Sequence, residues 1–277
     1  MKYVLIDQDI VPKEKAGIDF DDRGYHFGDG IYEVIRIYNG KPFTINHHLD
    51  RLYESAKKLD IPLSTTRETF TELINELIIK NTIETGIVYI QLTRGLQPRN
   101  HLYQREISPV LTGFAENLER KEELLTNGVD LWLTKDIRWL RCDIKTINLL
   151  GNIMAKREAA DHNCHEAIMH RDGTVTEGSS SNLFLIKDST LYTHPATNLI
   201  LNGITRQVVI KLAKEAGLHV VEEAFPVDVL AIADEAFITS TTMEVTPVRS
   251  ITGDVSATLE IGPITRQLQE AFKQLLP

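Results

Sequence analysis

The chain has 277 residues, 42% hydrophobic and 25% charged, with a formal net charge of −9 at neutral pH. That length holds two domains with separate cores, the composition excludes a disordered chain, and the acidic balance argues against a nucleic-acid partner. Cys142 and Cys164 make neither a CxxC pair nor a disulfide framework, Asp7 interrupts the first apolar run too early for a secretory leader, and no stretch approaches the ~18 apolar residues of a membrane span, so the expectation is a reduced, cytoplasmic protein with no membrane partner.

Residues 31–38 (IYEVIRIY) are rich in β-branched and aromatic side chains and end at Asn39-Gly40. This predicts a strand, a tight turn and a returning strand over 41–45. Leu49, Leu52, Tyr53, Ala56 and Leu59 then recur at helical spacing, with Asn46 placed as N-cap and Pro62 beyond the end. Phe70, Leu73, Ile74, Leu77 and Ile78 mark a second helix that stops near Gly86, followed by strands over 87–93 and 109–115. Strands interspersed with two helices make an α+β unit. The charged run 115–123 reads as a linker or solvated helix and places a boundary that divides the chain into 1–118 and 119–277.

The second part opens on a strand over 129–134 and a helix over 149–161. Two hairpins follow, 166–170 returning at Val175 and 182–186 returning over 191–193. A helix over 205–216 turns Val208, Val209, Leu212 and Ala213 inward and stops at Gly217. A short strand over 236–239 leads to Ser240, Thr241 and Thr242, and a C-terminal helix buries Ile264, Leu268, Phe272 and Leu275.

Several groups along this frame carry chemistry. Lys145 lies between Ile144 and Ile147, and an apolar setting lowers the pKa of a lysine amine toward a usable nucleophile or base. Glu177, among Gly178, Ser179, Ser180 and Ser181, is placed to accept local hydrogen bonds and remain ionised; beside a pyridine ring it would keep the ring nitrogen protonated. Gly203, Ile204 and Thr205 open a helix, whose unpaired N–H groups form an anion site, with Gly203 allowing close backbone approach. Ser240, Thr241 and Thr242 add donors, and Arg51 a balancing charge. The loop holding Arg99 and His101 suits carboxylate recognition. Taken singly, each has an ordinary structural explanation: a solvated lysine or arginine, a turn carboxylate, an N-cap. The His47-His48 pair and the nearby His162 and His165 lack Cys or acidic partners at ligand spacing, and no metal is expected.

Five runs change this balance: 22–33 (DRGYHFGDGIYE), 48–52 (HLDRL), 136–148 (DIRWLRCDIKTIN), 176–182 (TEGSSSN) and 240–247 (STTMEVTP). In colinear order over almost the whole chain they resemble the class IV pyridoxal-phosphate aminotransferases, and within them the members acting on D-amino acids. His26 and Met243 are minor departures. The resemblance implies a two-domain fold type IV enzyme, a smaller N-terminal α/β domain and a larger domain with a β-barrel-like core, with pyridoxal 5′-phosphate between them. It implies that Lys145 carries the cofactor covalently and moves the α-proton, with Glu33 close by to set its protonation. Glu177 would pair with the ring nitrogen. Arg51, Ile204, Thr205 and Thr241 would hold the phosphate, supported by Ser240, Ser180 and Ser181, while Leu201 would buttress the ring. Tyr32, Arg99 and His101 would bind the substrate α-carboxylate, the Arg99–His101 loop coming from the partner subunit of a homodimer. The implied reaction is ping-pong transamination between D-alanine or another D-amino acid and 2-oxoglutarate. A branched-chain L-amino-acid aminotransferase and an aminodeoxychorismate lyase are the alternatives of the same fold.

Overall fold

The computed structural model describes residues 1–277. It divides into two compact units, one of residues 1–119 with 144–148 and 277, the other of 120–143 and 149–276.

In the first unit the chain runs through β1 (Tyr3–Ile6), β2 (Asp9–Pro12), α1 (Arg23–Phe27), β3 (Gly30–Tyr38), β4 (Lys41–Pro42), α2 (Ile45–Lys58), α3 (Arg67–Asn81), β5 (Gly86–Thr93) and β6 (Val110–Asn117). The strands form one antiparallel sheet in the order β2-β1-β6-β5-β3-β4. Alternate residues of β3 explain its packing. Ile31, Ile35 and Ile37 join Leu49, Leu52, Phe70 and Ile74 in one core, and Glu33, on the same face, is equally buried. Asn39 and Gly40 both take positive φ, as the hairpin dipeptide requires. The returning strand is shorter than expected. Phe43 N donates to Arg36 O at 2.8 Å, Thr44 then adopts a left-handed conformation, and α2 begins at Ile45 with Thr44, not Asn46, at its cap. Likewise α3 ends at Asn81, where Thr82 turns left-handed, well before Gly86.

Because β4 covers only the far end of β3, the edge at Gly30–Tyr32 is open to other backbone. The segment 144–148 takes that edge. Tyr32 N donates to Lys145 O at 3.0 Å, Ile147 N donates to Gly30 O at 3.1 Å, and Ile31 bridges Thr146. Ile144 is buried in the core of the first unit and anchors the segment.

The second unit contains α4 (Glu122–Asn127), β7 (Val129–Lys135), α5 (Leu150–Asp161), β8 (Glu166–Arg171), β9 (Thr174–Gly178), β10 (Asn182–Lys187), β11 (Thr190–Thr193), α6 (Ile204–Glu215), β12 (His219–Glu222), β13 (Glu235–Ser240), β14 (Glu244–Gly253), β15 (Ala257–Thr258) and α7 (Pro263–Lys273). Its mixed sheet runs β12-β11-β10-β13-β14-β7-β8-β9, with β15 on β14. The pairs β11–β12, β14–β7 and β7–β8 are parallel. Val129, Leu131, Leu183, Leu185, Ile238 and Val248 form its core. Contrary to expectation, Leu275 lies beyond α7 and is exposed.

Arg36 is buried, and none of its three guanidinium nitrogens has a hydrogen-bond partner; the group lies 5.4 Å from the Tyr38 ring centroid. A charge held that way costs free energy. Arg36→Met is expected to raise the urea unfolding free energy by about 1–4 kcal/mol; a loss of that size would show that the guanidinium is compensated.

Candidate active site

Lys145 sits on the β3 edge with its Nζ 4.2 Å from the Tyr32 ring centroid, and its backbone N donates to Ser55 Oγ at 3.4 Å. Tyr32 stacks on Tyr89 at 5.5 Å, and Tyr89 on Phe114 at 5.1 Å, so the ring under the amine is backed by aromatic surface. β3 therefore presents Tyr32 beside Lys145 and, on its opposite face, Glu33 toward α2. There Arg51 donates to both Glu33 oxygens, Nε to Oε1 at 2.7 Å and Nη2 to Oε2 at 2.8 Å. His48 Nδ1 completes the cluster 2.7 Å from Oε2. Burial alone would raise the Glu33 pKa, but the charge and hydrogen bonds of Arg51, with His48, hold it at about 2. Burial lowers the His48 pKa, and the Arg51 and Lys145 charges add to this against the pull of Glu33. A neutral His48 facing a carboxylate must carry its proton on Nδ1. The partners of Glu33 are thus His48 and Arg51, and the cation expected to serve phosphate, Arg51, is engaged with Glu33.

Arg99 and His101 lie together on an exposed loop, Arg99 Cζ 5.1 Å and the His101 ring 5.6 Å from the Phe27 ring centroid. Arg23 fixes the loop by donating to Asn100 O at 2.6 Å, and Asp29 holds Arg23 at 2.8 Å and Arg94 at 2.8 Å. Asp29 was not singled out from sequence; its only signal there is its place within DRGYHFGDG.

In the second unit Glu177 is the last residue but one of β9 and is buried. Its partners are not the neighbouring serines. Arg138 Nη1 donates to Oε1 at 2.6 Å, Asn182 Nδ2 to Oε2 at 2.9 Å, and Leu201 N to both oxygens at 3.0 and 3.1 Å. Arg138 is itself locked to Asp136, which also accepts from Arg171 and Thr176. Burial pushes Glu177 up to about 7 against the opposing pull of Arg138 and the Leu201 amide. Ser179 and Ser180 donate to the buried Glu166 instead, and Ser181 Oγ is buried without a partner. Leu201 reaches the site through its backbone.

Leu201 leads into α6, whose cap, Gly203, supplies no side-chain acceptor. Asn202 does not cap the helix; its Oδ1 accepts from Arg206 at 2.9 Å. The first N–H groups, at Ile204 and the buried Thr205, are therefore left without a side-chain cap, an electropositive mouth suited to an anion. Ser240 Oγ accepts from Met243 N at 3.2 Å, which orders the turn that carries Thr241 between β13 and β14. His48 is committed to Glu33 and His162 stacks on Trp132, and no three His, Cys, Asp or Glu side chains gather where a metal could sit.

A lysine on a sheet edge, an enclosed carboxylate wired to an arginine, and an uncapped helix mouth are chemically specific features. The family model for amino-transferase class IV matches residues 30–251, a span holding all of them. The chain belongs to the class IV aminotransferases. The D-alanine aminotransferase of Listeria monocytogenes serotype 1/2a (strain 10403S) is 50% identical over 272 residues, 97% of this chain and 94% of that protein. That of Staphylococcus aureus (strain MSSA476) is 47% identical over 277 residues, 100% and 98% of the two chains. Among solved structures, the Escherichia coli branched-chain amino acid aminotransferase superposes with a TM-score of 0.89 at 29% identity, covering 99% of this chain and 94% of that one. A putative 4-amino-4-deoxychorismate lyase from Legionella pneumophila gives 0.85 at 28% identity, covering 95% and 97%. The fold is that of the class IV enzymes, and the two-domain fold type IV expectation stands.

Glu177 ionises in the folded class IV chain only near pH 7, against 4.5 for an ordinary glutamate. Below pH 4.5 it is protonated in both folded and unfolded chains. As pH rises toward 7 the unfolded chain ionises first, so stability falls across that window. Relative to Glu177→Gln, the cofactor-free parent is expected to lose about 3 kcal/mol of unfolding free energy between the two pH values. Parallel stability curves for the two proteins would refute the assignment.

Proposed function

We propose that the chain is a pyridoxal-phosphate-dependent D-amino-acid aminotransferase, converting D-alanine or another D-amino acid and 2-oxoglutarate into pyruvate, or the matching 2-oxo acid, and D-glutamate. The observation that carries this reading is identity of 46–50% over nearly whole chains with D-alanine aminotransferases, against 25–29% with the branched-chain enzymes and the lyases. A branched-chain amino acid aminotransferase solved with pyridoxamine 5′-phosphate, 27% identical with a TM-score of 0.90, supports the cofactor.

The donor set fits that group. Glu177 has one strong cationic partner and still sits high in pKa, so a second cation, a protonated ring nitrogen, would complete its charge balance. The α6 mouth at Ile204 and Thr205, with Thr241 and Arg51, would hold the phosphate. Ser240, Ser180 and Ser181 would support that network, and Leu201, whose N–H fastens Glu177, would buttress the ring. Bound there, pyridoxal phosphate supplies the electron sink for the carbon that loses its proton. Lys145 would be the residue of covalent attachment, and its Nζ, once displaced by the substrate amine, would take and return the substrate α-proton. Glu33, paired with Arg51 and His48, keeps a fixed negative charge near the amine. Tyr32, Arg99 and His101 hold the α-carboxylate.

We further infer a domain boundary at 118/119, a cytoplasmic setting and a homodimer. No helix is long and apolar enough to cross a membrane. Leu150, Ile153 and Met154 on α5, with Ile137, Trp139 and Leu140, are exposed apolar side chains of the second unit, while α5 turns only Ala155 and Ala159 into its own core. A second copy is the occupant that fits, since a stable interface needs such an apolar centre.

Lys145→Ala should cost about a thousandfold or more in turnover and abolish borohydride-sensitive cofactor attachment; retention of parent rates would sink the assignment. With 2-oxoglutarate omitted, pyruvate release from D-alanine should stop after one equivalent per site, whereas continued pyruvate release from 4-amino-4-deoxychorismate with no 2-oxo acid present would identify a lyase. Ile153→Asp is expected to convert the sedimenting species from dimer to monomer, and an unchanged dimer would place the interface elsewhere.

A further inference from the structure

Asn182 opens β10 and is buried. Its Nδ2 donates to Glu177 Oε2 at 2.9 Å and to Leu201 O at 2.8 Å, while Leu201 N donates back to Glu177. These bonds close a ring through one amide. Both groups facing Nδ2 are acceptors, so the chemistry fixes the orientation of the amide. Its other end, Oδ1, points at the helix mouth. A Cβ placed on Gly203 would lie 2.2 Å from Asn182 Oδ1. Gly203 has φ −60° and ψ 142°, extended backbone open to any residue, so no turn demands glycine there. The backbone of Asn182 is in turn paired with Thr239 of β13, one residue before Ser240 and two before Thr241. Glu177, the α6 mouth and the end of β13 therefore meet at a single residue, the first two at its side chain and the third at its backbone.

We propose that Asn182 is a positioning residue that sets the spacing between Glu177 and the α6 mouth, and that residue 203 is glycine to make room for Asn182. This rests on the cofactor reading above, in which the ring nitrogen and the phosphate bind at those two ends. It replaces the sequence-based expectation that Gly203 serves close approach of the phosphate.

The test uses cofactor-free protein and three ligands: pyridoxal phosphate, pyridoxal and inorganic phosphate. If Asn182 sets the spacing, Asn182→Ala weakens pyridoxal phosphate about thirtyfold, because only that ligand engages both ends at once. Pyridoxal and phosphate alone should change by no more than about threefold. A merely structural role would weaken all three alike, and that result overturns the proposal. Gly203→Ala should cost about tenfold or more in pyridoxal phosphate affinity in the parent, and less than about twofold when added to Asn182→Ala. Equal costs in both backgrounds would show that Gly203 is required for another reason and would also overturn it. Asn182→Ser clears the same space and is read by the same three constants if the alanine variant does not fold. Parent protein that binds no pyridoxal phosphate would instead overturn the cofactor reading, and this inference with it.

Discussion

A carboxylate removed from water must be matched by donors and opposite charge, and this chain does so at two buried glutamates with opposite outcomes. Glu33 receives a bidentate arginine and a histidine, and those three contacts overcome burial and hold it at about 2. Glu177 receives one contact from Arg138, an amide and a backbone N–H, and burial prevails, leaving it at about 7. The difference lies in how the arginines are shared. Arg51 gives Glu33 both arms of its fork, whereas Arg138 spends two nitrogens on Asp136 and gives Glu177 only Nη1. One carboxylate is a permanent anion. The other holds its proton up to about pH 7, and an added cation would favour its ionised form, the property a pyridine-binding carboxylate needs.

The remaining architecture serves this arrangement. The stretch 136–148 is anchored at its start by the Asp136–Arg138–Arg171 network and at its end by Ile144 in the core of the first unit. Between them Cys142 is buried, and burial pushes its thiol up to about 11, which keeps it protonated and unreactive. Lys145 is the one primary amine the stretch offers. Its position depends on β4 being short, because a full-length returning strand would have occupied the edge that 145–147 takes.

Local patterning was legible in the residues. The burial of Ile31, Ile35 and Ile37, the Asn39-Gly40 turn and the inward face of α6 all follow from alternation, turn chemistry and helical spacing. Where prediction fell short, a longer-range constraint intervened. The ten-residue β14 carries Pro247, which demotes a strand on local grounds, yet Pro247 sits opposite Phe237 in a well-paired sheet. Thr44 replaces Asn46 as the cap of α2 because the turn is set by the bond from Phe43 N to Arg36 O, which no capping preference encodes. At the site, Lys145 and Glu177 carry motif signals, but Arg138 lies 39 residues from Glu177 and looks like one more basic residue in a polar run. The serines beside Glu177 looked like its partners because they are adjacent. In the fold the bend between β9 and β10 brings both Ser179 and Ser180 to Glu166, and the donors to Glu177 come from elsewhere in the second unit.

Transamination of D-amino acids is the activity that the curated relatives, 46–50% identical over nearly whole chains, support. The most direct measurement is the single half-reaction in the cofactor-loaded enzyme, followed by the cofactor's visible absorbance as D-alanine or L-alanine is added without acceptor. Stoichiometric bleaching by D-alanine, with formation of pyruvate and little change with L-alanine, is the predicted result. Rapid conversion by L-alanine alone would contradict it.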